Sequence, residues 1–386
     1  MVEIRIKSEC CGCSACMSIC KHHAISMVRD QLGFEYPIVN KELCTNCNLC
    51  NHVCQFKKDY NRYENYSVPL MFSGRLKDEK QLMKSQSGGA FYAIARYVLN
   101  NNGIIYGAAF DKDWSVCHLR ASNYDELEKL RMTKYVQSHI GHSYQDVKDD
   151  LIKDRYVLFT GTACQIAGLK SFIPQKLHEK LLTIDVICHG VPSPQIWLDY
   201  IKYLELRYKS SIIKACFRDK RYGWHSAKES FLFSSGKEIT SKVNNYLYFS
   251  GLTVRDCCKN CHFTNLKRVS DITIGDFWGA DANSDYEKDQ KGASILLINS
   301  DKGKKIFYAI NNTFSSESIR IDIGIKNQPQ LQHPTELNEK RTEFIDDYSK
   351  YGFKFVARKY KAIGINAKKR ILFEKSKQLI KLIKLH

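Results

Sequence analysis

The sequence predicts an α+β protein in which a small cysteine-rich domain is followed by an α/β domain with a largely parallel sheet. Two observations support this prediction. Nine of the sixteen cysteines lie between Cys10 and Cys54. The chain beyond them alternates between apolar strands and amphipathic helices, which is typical of a parallel sheet covered by helices. With 386 residues, the chain is long enough for two or three domains.

The cysteines of the amino-terminal region form an internal repeat with the spacing C-x2-C-x2-C-x3-C, which starts at Cys10 and recurs from Cys44. The first set is Cys10, Cys13, Cys16 and Cys20, and the second set is Cys44, Cys47, Cys50 and Cys54. Bacterial ferredoxins that hold two [4Fe–4S] clusters have this spacing, and the fourth cysteine of each motif ligates the other cluster. We therefore predict a ferredoxin-like domain over residues 1–58, with Cys54 completing the first cluster and Cys20 the second.

Zinc is the alternative for this region, because CxxC pairs also occur in zinc ribbons. A zinc site, however, needs two pairs of cysteines and not two matched sets of four. Lys21 and Gln55 stand where a proline usually follows the fourth cysteine, a change that alters the turn and removes no ligand. Cys11 lies outside the spacing, and we interpret it as a bystander or as a residue that exchanges roles with Cys10.

Beyond a polar, tyrosine-rich segment at residues 57–76, which we interpret as a linker, the chain predicts alternating strands and helices. The strands are expected at residues 103–110, 156–160, 181–187, 271–279 and 293–300. Helices are expected after the glycine turn at residues 87–89, over residues 144–153, and from the turn "GTACQ" to Phe172. The last of these helices joins two apolar strands, which implies parallel pairing with a right-handed crossover.

Two lone cysteines lie at the carboxyl ends of the strands that this crossover joins. Cys164 follows "YVLFT" by four residues, and Cys188 follows "LLTIDVI" directly. Ligands gather at this edge of α/β sheets, and the pair Cys258 and Cys261 precedes the strand "DITIG". Together these four thiols are enough for a further metal site. The alternatives are a zinc site and ordinary core cysteines, since free cysteine is often buried.

Several turns suit a nucleotide. Glycines near a helix amino terminus let a phosphate approach the backbone, and such a turn occurs at Ser87, Gly88 and Gly89. The segment "TKYVQS" from Thr133 combines a cation, hydroxyls and an aromatic ring, and "GTACQ" offers backbone amides at a strand end. Taken singly, each of these segments is equally compatible with an ordinary turn or surface.

In combination, the motifs resemble a known family. The segments "SQSGGAF", "TKYVQS", "GTACQIAGLK", "VICHGVPSP" and "CKNCHF" with "DITIGDFWG" follow one another behind the cysteine repeat. They are similar to the coenzyme F420 hydrogenase/dehydrogenase beta-subunit family over about Ser8 to Ser300. Asp256 and Cys257 replace a Pro-Ser pair that is common in the family, which aligns Cys258 with the ligand position. Ala163 likewise replaces a common proline.

The resemblance implies an α/β domain over residues 77–345 that binds FAD beside a third [4Fe–4S] cluster. The charge and the apolar spacing of the last residues predict a basic helical tail over residues 346–386. The complete expected fold is thus a small dicluster ferredoxin-like domain followed by an α/β flavin-binding domain with a largely parallel sheet. The implied cluster ligands are Cys164, Cys188, Cys258 and Cys261. The implied FAD contacts are Ser87, Gly88, Gly89, Thr133, Lys134, Tyr135, Thr160, Gly161 and Thr162.

These expectations combine into an FAD- and [4Fe–4S]-dependent oxidoreductase. Ferredoxin or another low-potential donor would supply the electrons, and a small organic acceptor would receive them. The family context suggests a sugar or lipid-linked intermediate of surface-polysaccharide synthesis as the acceptor. The alternatives are an electron-transfer subunit that serves a separate enzyme, an F420-dependent dehydrogenase subunit, and a zinc-stabilised binding protein. The sequence assigns no catalytic acid or base, although His189, Asp276 and Trp278 lie near the expected site.

The net charge of +18 is concentrated at the carboxyl terminus, where the segment from Lys354 to His386 carries eleven Lys or Arg and one Glu. No nucleic-acid-binding motif accompanies this charge, so we expect no nucleic-acid partner. Lys368 to His386 has the pattern of a basic amphipathic helix, which predicts peripheral contact with an anionic membrane; the alternative is a solvated helix packed on its own domain. The chain shows no signal segment and no long apolar run, so we expect a cytoplasmic protein. Peripheral contact at the inner membrane face is one of the two interpretations of this tail, and the solvated helix is the other.

Overall fold

The structure is a computed structural model that describes residues 6–57, 65–281 and 284–371. Its strands are β1 (Ile25–Arg29), β2 (Glu35–Val39), β3 (Leu70–Leu76), β4 (Ile104–Phe110), β5 (Val116–Ala121), β6 (Val157–Thr162), β7 (Leu181–Val186), β8 (Ile212–Cys216), β9 (Glu229–Phe233), β10 (Glu238–Ser241), β11 (Ile272–Asp276), β12 (Ser294–Ile298) and β13 (Phe314–Ser318). Its helices are α1 (Ala15–Ile19), α2 (Leu49–Val53), α3 (Glu79–Met83), α4 (Ala90–Asn100), α5 (Tyr124–Leu130), α6 (Ser143–Ile152), α7 (Ala163–Phe172), α8 (Pro194–Tyr208), α9 (Val243–Phe249), α10 (Asp285–Lys288), α11 (Asp301–Ala309), α12 (Ile321–Ile325) and α13 (Arg341–Lys359).

A mixed eight-stranded sheet in the order β13-β3-β12-β11-β7-β6-β4-β5 forms the centre of the molecule. The strands β4, β6, β7 and β11 run parallel, and the remaining pairs are antiparallel. The sheet is therefore parallel only in its middle, and the prediction of a largely parallel sheet is correct for these four strands alone. The loop at residues 111–115 is too short for a crossover, so β4 and β5 must pair antiparallel.

The predicted strand–helix–strand unit is confirmed, because α7 connects β6 to β7 and the two strands pair in parallel. The linker interpretation is wrong for its second half. Leu70–Leu76 forms β3, which lies between β12 and β13 in the sheet. Both neighbouring strands belong to the last third of the chain, and such distant pairing leaves no local sequence signal.

Helices cover both faces of the sheet. Leu158 in β6 belongs to a core that includes Ile94 of α4, whereas its neighbours Val157 and Phe159 belong to a core that includes Ile166 of α7. Alternate residues of a strand point to opposite faces, so the continuous apolar run of β6 buries both of its sides.

A smaller sheet, β10-β9-β8, packs with α8 and α13 in a separate core. The amino-terminal hairpin of β1 and β2 contributes to this core through Leu32 and Phe34, which are 2% and 1% exposed. The hairpin is thereby joined to the rest of the molecule by buried apolar contacts.

In the described part of the chain, no helix is long and apolar enough to cross a membrane. The helix α13 begins before the predicted tail and contains a kink at Gly352. The amphipathic segment predicted from Lys368 onward lies outside the described residues except for residues 368–371. The predicted membrane contact of the tail stays a prediction, as do the domain boundaries at residues 58, 77 and 345.

Candidate functional site

The two cysteine motifs adopt the same local backbone. The second and fourth residues after the first cysteine have positive φ angles in each motif: 66° and 61° at Gly12 and Ser14, and 55° and 64° at Asn46 and Asn48. A five-residue helix follows in each case, α1 or α2, which contains the third cysteine and ends before the fourth. The repeat in the sequence is therefore also a repeat in the structure.

The thiols of the first predicted centre are close to one another. Burial and the neighbouring thiols of Cys10 and Cys54 raise the pKa of Cys16. Burial likewise raises the pKa of Cys54, with a further contribution from Cys10. Cys54 belongs to the second motif, so this neighbourhood agrees with the crossed ligand sharing that the spacing predicts.

The second predicted centre is less enclosed. Cys20 and Cys50 pack in one small core with Ile25, and this core also contains Cys16 of the first motif. Cys44 is half-buried and Cys47 is exposed. No three acidic, histidine or cysteine side chains among the described residues are arranged around a single ion. The ligands of a [4Fe–4S] cluster lie farther apart than those of a single ion, because the cluster is larger. The assignment of ligands to the two clusters stays a prediction.

The amino-terminal region docks on α7. Gln55 is buried, and its amide Nε2 donates to the carbonyl oxygen of Ala167 at 3.0 Å and to Ser171 Oγ at 2.7 Å. Cys13 lies against Gly168, where an added Cβ would come within 2.9 Å of the thiol sulfur. Gln55 thus replaces the usual proline with a residue that ties the second motif to the helix on which Cys164 lies.

A cavity of about 420 Å³ opens at the carboxyl ends of β6, β7 and β11, within the usual size range of ligand pockets. It is lined by eight of the nine residues that were predicted to contact FAD, namely Ser87, Gly89, Thr133, Lys134, Tyr135, Thr160, Gly161 and Thr162. Gly88 is outside the lining. A Cβ on Gly88 would clash with the carbonyl oxygen of Gly74 and the amide nitrogen of Ser294, so close strand packing accounts for this glycine.

Buried polar contacts fix the turn at Ser87, whose φ is 50°. Ser87 Oγ donates to Asp276 Oδ1 at 2.7 Å. Lys220 Nζ donates to the carbonyl oxygen of Ser87 at 2.6 Å and to that of Leu82 at 2.9 Å. Burial lowers the pKa of Lys220 to about 7. The loop before α4 is thereby fixed at the cavity wall, through the side chain of Ser87 by Asp276 and through its carbonyl oxygen by Lys220.

Asp276 anchors one end of the cavity. Arg218 Nη1 donates to its Oδ2 at 2.6 Å, and Trp224 Nε1 donates to its Oδ1 at 2.7 Å. Burial alone would raise the pKa of Asp276, but the Arg218 guanidinium and these hydrogen bonds hold it below its usual range. Trp278 stacks on Trp224, with ring centroids 5.2 Å apart. Arg218 and Trp224 were not identified from the sequence, because their segment has no characteristic spacing.

Three further basic side chains of the lining are His118, His189 and Lys134. Burial lowers the pKa of His118 to about 4, and its Nε2 lies 2.9 Å from the carbonyl oxygen of Thr160. Burial also lowers the pKa of His189. Lys134 Nζ donates to the carbonyl oxygens of Arg131 and Lys129 at 2.7 and 3.0 Å, and burial lowers its pKa to about 7. His118 lies on β5, which the sequence analysis did not predict.

A second cavity, of about 40 Å³, has a wall rich in thiols. It contains the four residues predicted for the third cluster together with both cysteines that were set aside, namely Cys11, Cys164, Cys188, Cys257, Cys258 and Cys261. Hydrogen bonding to Cys13, together with burial, raises the pKa of Cys11, which also contacts the Cys164 thiol. The interpretation of Cys11 as a bystander therefore overlooked its place between the first motif and the sheet edge.

The two cavities share part of their walls. Thr162, Cys188, Gly190 and Val191 line both of them. These residues lie at or just after the ends of β6 and β7, and the parallel pairing of the two strands brings their carboxyl ends together. A group held by the thiols of the smaller cavity would therefore lie next to a ligand in the larger one.

Fold and cavities together define an α/β protein in which a thiol-rich cavity adjoins a cofactor-sized cavity at the edge of the sheet. Residues 154–320 match the family that comprises the carboxyl-terminal part of the beta subunit of coenzyme F420 hydrogenase/dehydrogenase. The resemblance drawn from the motifs is confirmed over this part of the chain.

One solved structure that the chain resembles belongs to the F420-reducing [NiFe] hydrogenase complex from Methanosarcina barkeri, with 19% sequence identity and a TM-score of 0.48. The match covers 78% of this chain and 94% of the other. No curated protein sequence matches the chain.

Proposed function

We propose that this chain is an iron–sulfur flavoprotein oxidoreductase. It would take electrons from ferredoxin or a similar low-potential donor and pass them to a small organic acceptor. The observation that carries the proposal is the wall shared by the two cavities, with Cys188 and Thr162 in both linings. A thiol-held redox centre and a flavin would be neighbours across this wall.

The donor set of the smaller cavity fits an iron–sulfur centre. Burial raises the pKa of Cys188 and Cys261, so these thiols are neutral when no metal is bound, and metal ligation would deprotonate them. Cys164, Cys188, Cys258 and Cys261 remain the proposed ligands, and the first and second centres would be held by the two amino-terminal sets of cysteines.

The larger cavity fits FAD in its chemistry. The backbone of Thr160, Gly161 and Thr162 lies at a strand end that opens α7, where an anion is favoured. Arg218 and Asp276 supply a charged pair at the other side of the lining, and Trp278 offers an aromatic face. These residues would bind and orient the flavin, and the apolar remainder of the wall would exclude water.

When bound, the clusters would supply single-electron transfer and FAD would supply exchange of one or two electrons, so a one-electron donor could serve a two-electron acceptor. The chain's own part is to place these groups and to hold protons. His189 lies beside Cys188 in the cavity, and burial lowers its pKa, so its imidazole is neutral at pH 7. We propose it as a group of the cavity wall that is able to accept a proton.

The family's description names a beta subunit, which favours a second candidate function in which the chain hands electrons to a separate catalytic partner. A sugar or lipid-linked intermediate is the proposed acceptor if the chain is itself catalytic, and F420 is the acceptor to compare with it. Turnover by the isolated chain, with an artificial donor and each candidate acceptor, separates the two functions.

Anaerobic purification followed by iron, sulfide and flavin assays tests the proposal. We expect roughly twelve iron atoms per chain, four for each of three clusters, and one FAD. Full clusters without flavin would refute the flavin part. A colourless protein that contains zinc would refute the redox function altogether.

A further inference from the structure

Arg255 is fully buried, with 0% of its surface exposed, directly before the turn Asp256–Asn260 that carries Cys257 and Cys258. Its guanidinium reaches into the amino-terminal region. Nε donates to the carbonyl oxygen of Cys10 at 2.9 Å, and Nη2 donates to that of Glu35 at 2.8 Å. Nη1 donates to Gln137 Oε1, also at 2.8 Å.

This buried cation has no carboxylate at ion-pair distance in the parts of the chain that the structure describes. All three of its hydrogen-bond acceptors are neutral oxygens. An uncompensated charge in a protein interior is strongly unfavourable. The groups nearest to it that can become negative are the thiols of Cys10, Cys257 and Cys11 and the phenol of Tyr36. The guanidinium also lies over the rings of Tyr36 and Phe34, at 4.3 and 5.3 Å from their centroids. Cys10 belongs to the first cysteine motif, so an anionic centre built on that motif would supply a counter-charge.

Gly12 makes this approach possible. A Cβ at Gly12 would come within 2.7 Å of Arg255 Nη1. The second motif has the same backbone conformation, but Asn46 stands at the corresponding position. Asn46 carries a side chain where Gly12 has none, and its Oδ1 lies 3.8 Å from Cys44 Sγ. The two motifs have the same spacing and backbone conformation. They differ at the position that contacts the Arg255 guanidinium, which is Gly12 in the first motif and Asn46 in the second.

The first motif is also the one that adjoins the thiol-rich cavity. Cys10 is bonded to Arg255 through its carbonyl oxygen, and the next residue, Cys11, lines that cavity and contacts Cys164. Gln137 connects the two, because its Nε2 donates to the carbonyl oxygen of Cys11 at 2.8 Å while its Oε1 accepts from Arg255.

We propose that Arg255 makes the centre of the first motif easier to reduce than the centre of the second, so that an entering electron comes to rest on the side that faces the third site. Reduction adds one electron, and therefore one negative charge, to the centre. A buried cation attracts that added charge more strongly than an exposed cation at the same distance would, because the local dielectric constant is low. This inference rests on the proposed function, and Arg255 acts in it as a positioning and electrostatic residue.

The test is an anaerobic potentiometric titration with dithionite as the reductant, followed by electron paramagnetic resonance of the two amino-terminal centres. The signal of the first centre is the one that disappears in a Cys16→Ser variant. We expect Arg255→Gln to shift the midpoint potential of the first centre to a more negative value and to leave the second unchanged. Arg255→Lys, which keeps the charge, should retain most of the wild-type potential.

Because Arg255→Gln removes three buried hydrogen bonds, a second variant keeps the test decisive if that protein does not fold. Gln137→Glu preserves the shape of the side chain and places a carboxylate against the guanidinium, so it should also shift the potential of the first centre downward. Arg120→Gln is the control. Arg120 of β5 pairs with Asp150 of α6, and its removal should leave both potentials in place.

Folded variants with wild-type iron content and unchanged potentials would overturn the inference, and so would equal shifts of both centres. A wild-type chain that binds no iron after anaerobic reconstitution would instead refute the proposed function. The two failures are distinguished by the iron assay alone.

Discussion

The ion pair between Asp276 and Arg218 gives the sharpest prediction for stability. Both side chains are largely buried, at 14% and 7% exposure, and Arg218 Nη1 lies 2.6 Å from Asp276 Oδ2. Asp276→Asn keeps an oxygen that can accept from Ser87 and Trp224, but it leaves the guanidinium without a counter-charge. Breaking a buried pair on one side costs about 3–5 kcal/mol. Because the two neutral hydrogen bonds survive, we expect the lower end of that range, about 3 kcal/mol.

Urea unfolding followed by tryptophan fluorescence measures this loss, with the slope of the transition checked for change. Asp322→Asn is the matched control, since Asp322 pairs with Arg320 on the surface at 65% and 77% exposure and should give no measurable change. The folded state holds the pKa of Asp276 below its usual range. The stability from the pair is therefore full at neutral pH and is lost as the pH falls through the folded-state pKa. An Asp276→Asn variant with the same urea midpoint as the wild type, and the same loss of stability at low pH, would refute this reasoning.

Three further predictions concern other parts of the molecule. Cys258→Ser should lose about four iron atoms per chain and Cys257→Ser none, as measured by an iron assay; the reverse result would show that the proposed ligand register is wrong. Burial lowers the folded-state pKa of Lys220 to about 7, so the free energy of unfolding should rise with pH from about 7 toward 10. This rise should be absent in Lys220→Met. An equal dependence of the free energy of unfolding on pH in both proteins, measured by urea unfolding, would contradict the burial argument. Deletion of Lys368–His386 should abolish co-sedimentation with anionic liposomes, and unchanged co-sedimentation would show that the tail is not the contact.

The sequence predicted best the features that depend on local spacing. A turn at residues 161–165 and a helix from it to Phe172 were predicted between two parallel strands. The structure confirms this unit, with the helix beginning at Ala163, because a continuous apolar run, a turn and a helix carry clear local signals. The same reasoning placed Cys164 and Cys188 at one sheet edge, where they line the same cavity. That they bind a cluster stays a prediction.

The sequence could not predict features that depend on distant contacts. Leu70–Leu76 was assigned to a linker because its strand partners lie far along the chain. Arg255 belongs to no recognised motif. Its buried position depends on the carbonyl oxygens of Cys10 and Glu35, which lie more than 200 residues earlier in the sequence. Cys11 was set aside because it broke a spacing, although the fold brings it to Cys164.

The contact of Gln55 with α7 has a consequence for engineering. Gln55 bonds to the backbone and to Ser171 of that helix, and Leu32 and Phe34 are buried in the core of the smaller sheet. A segment that can be moved to another protein packs its apolar side chains within itself. The amino-terminal segment instead buries Leu32 and Phe34 against the rest of the chain. The segment is joined to the rest of the chain by buried contacts, so its transplantation onto another scaffold would require the matching face of α7 to be moved along with it.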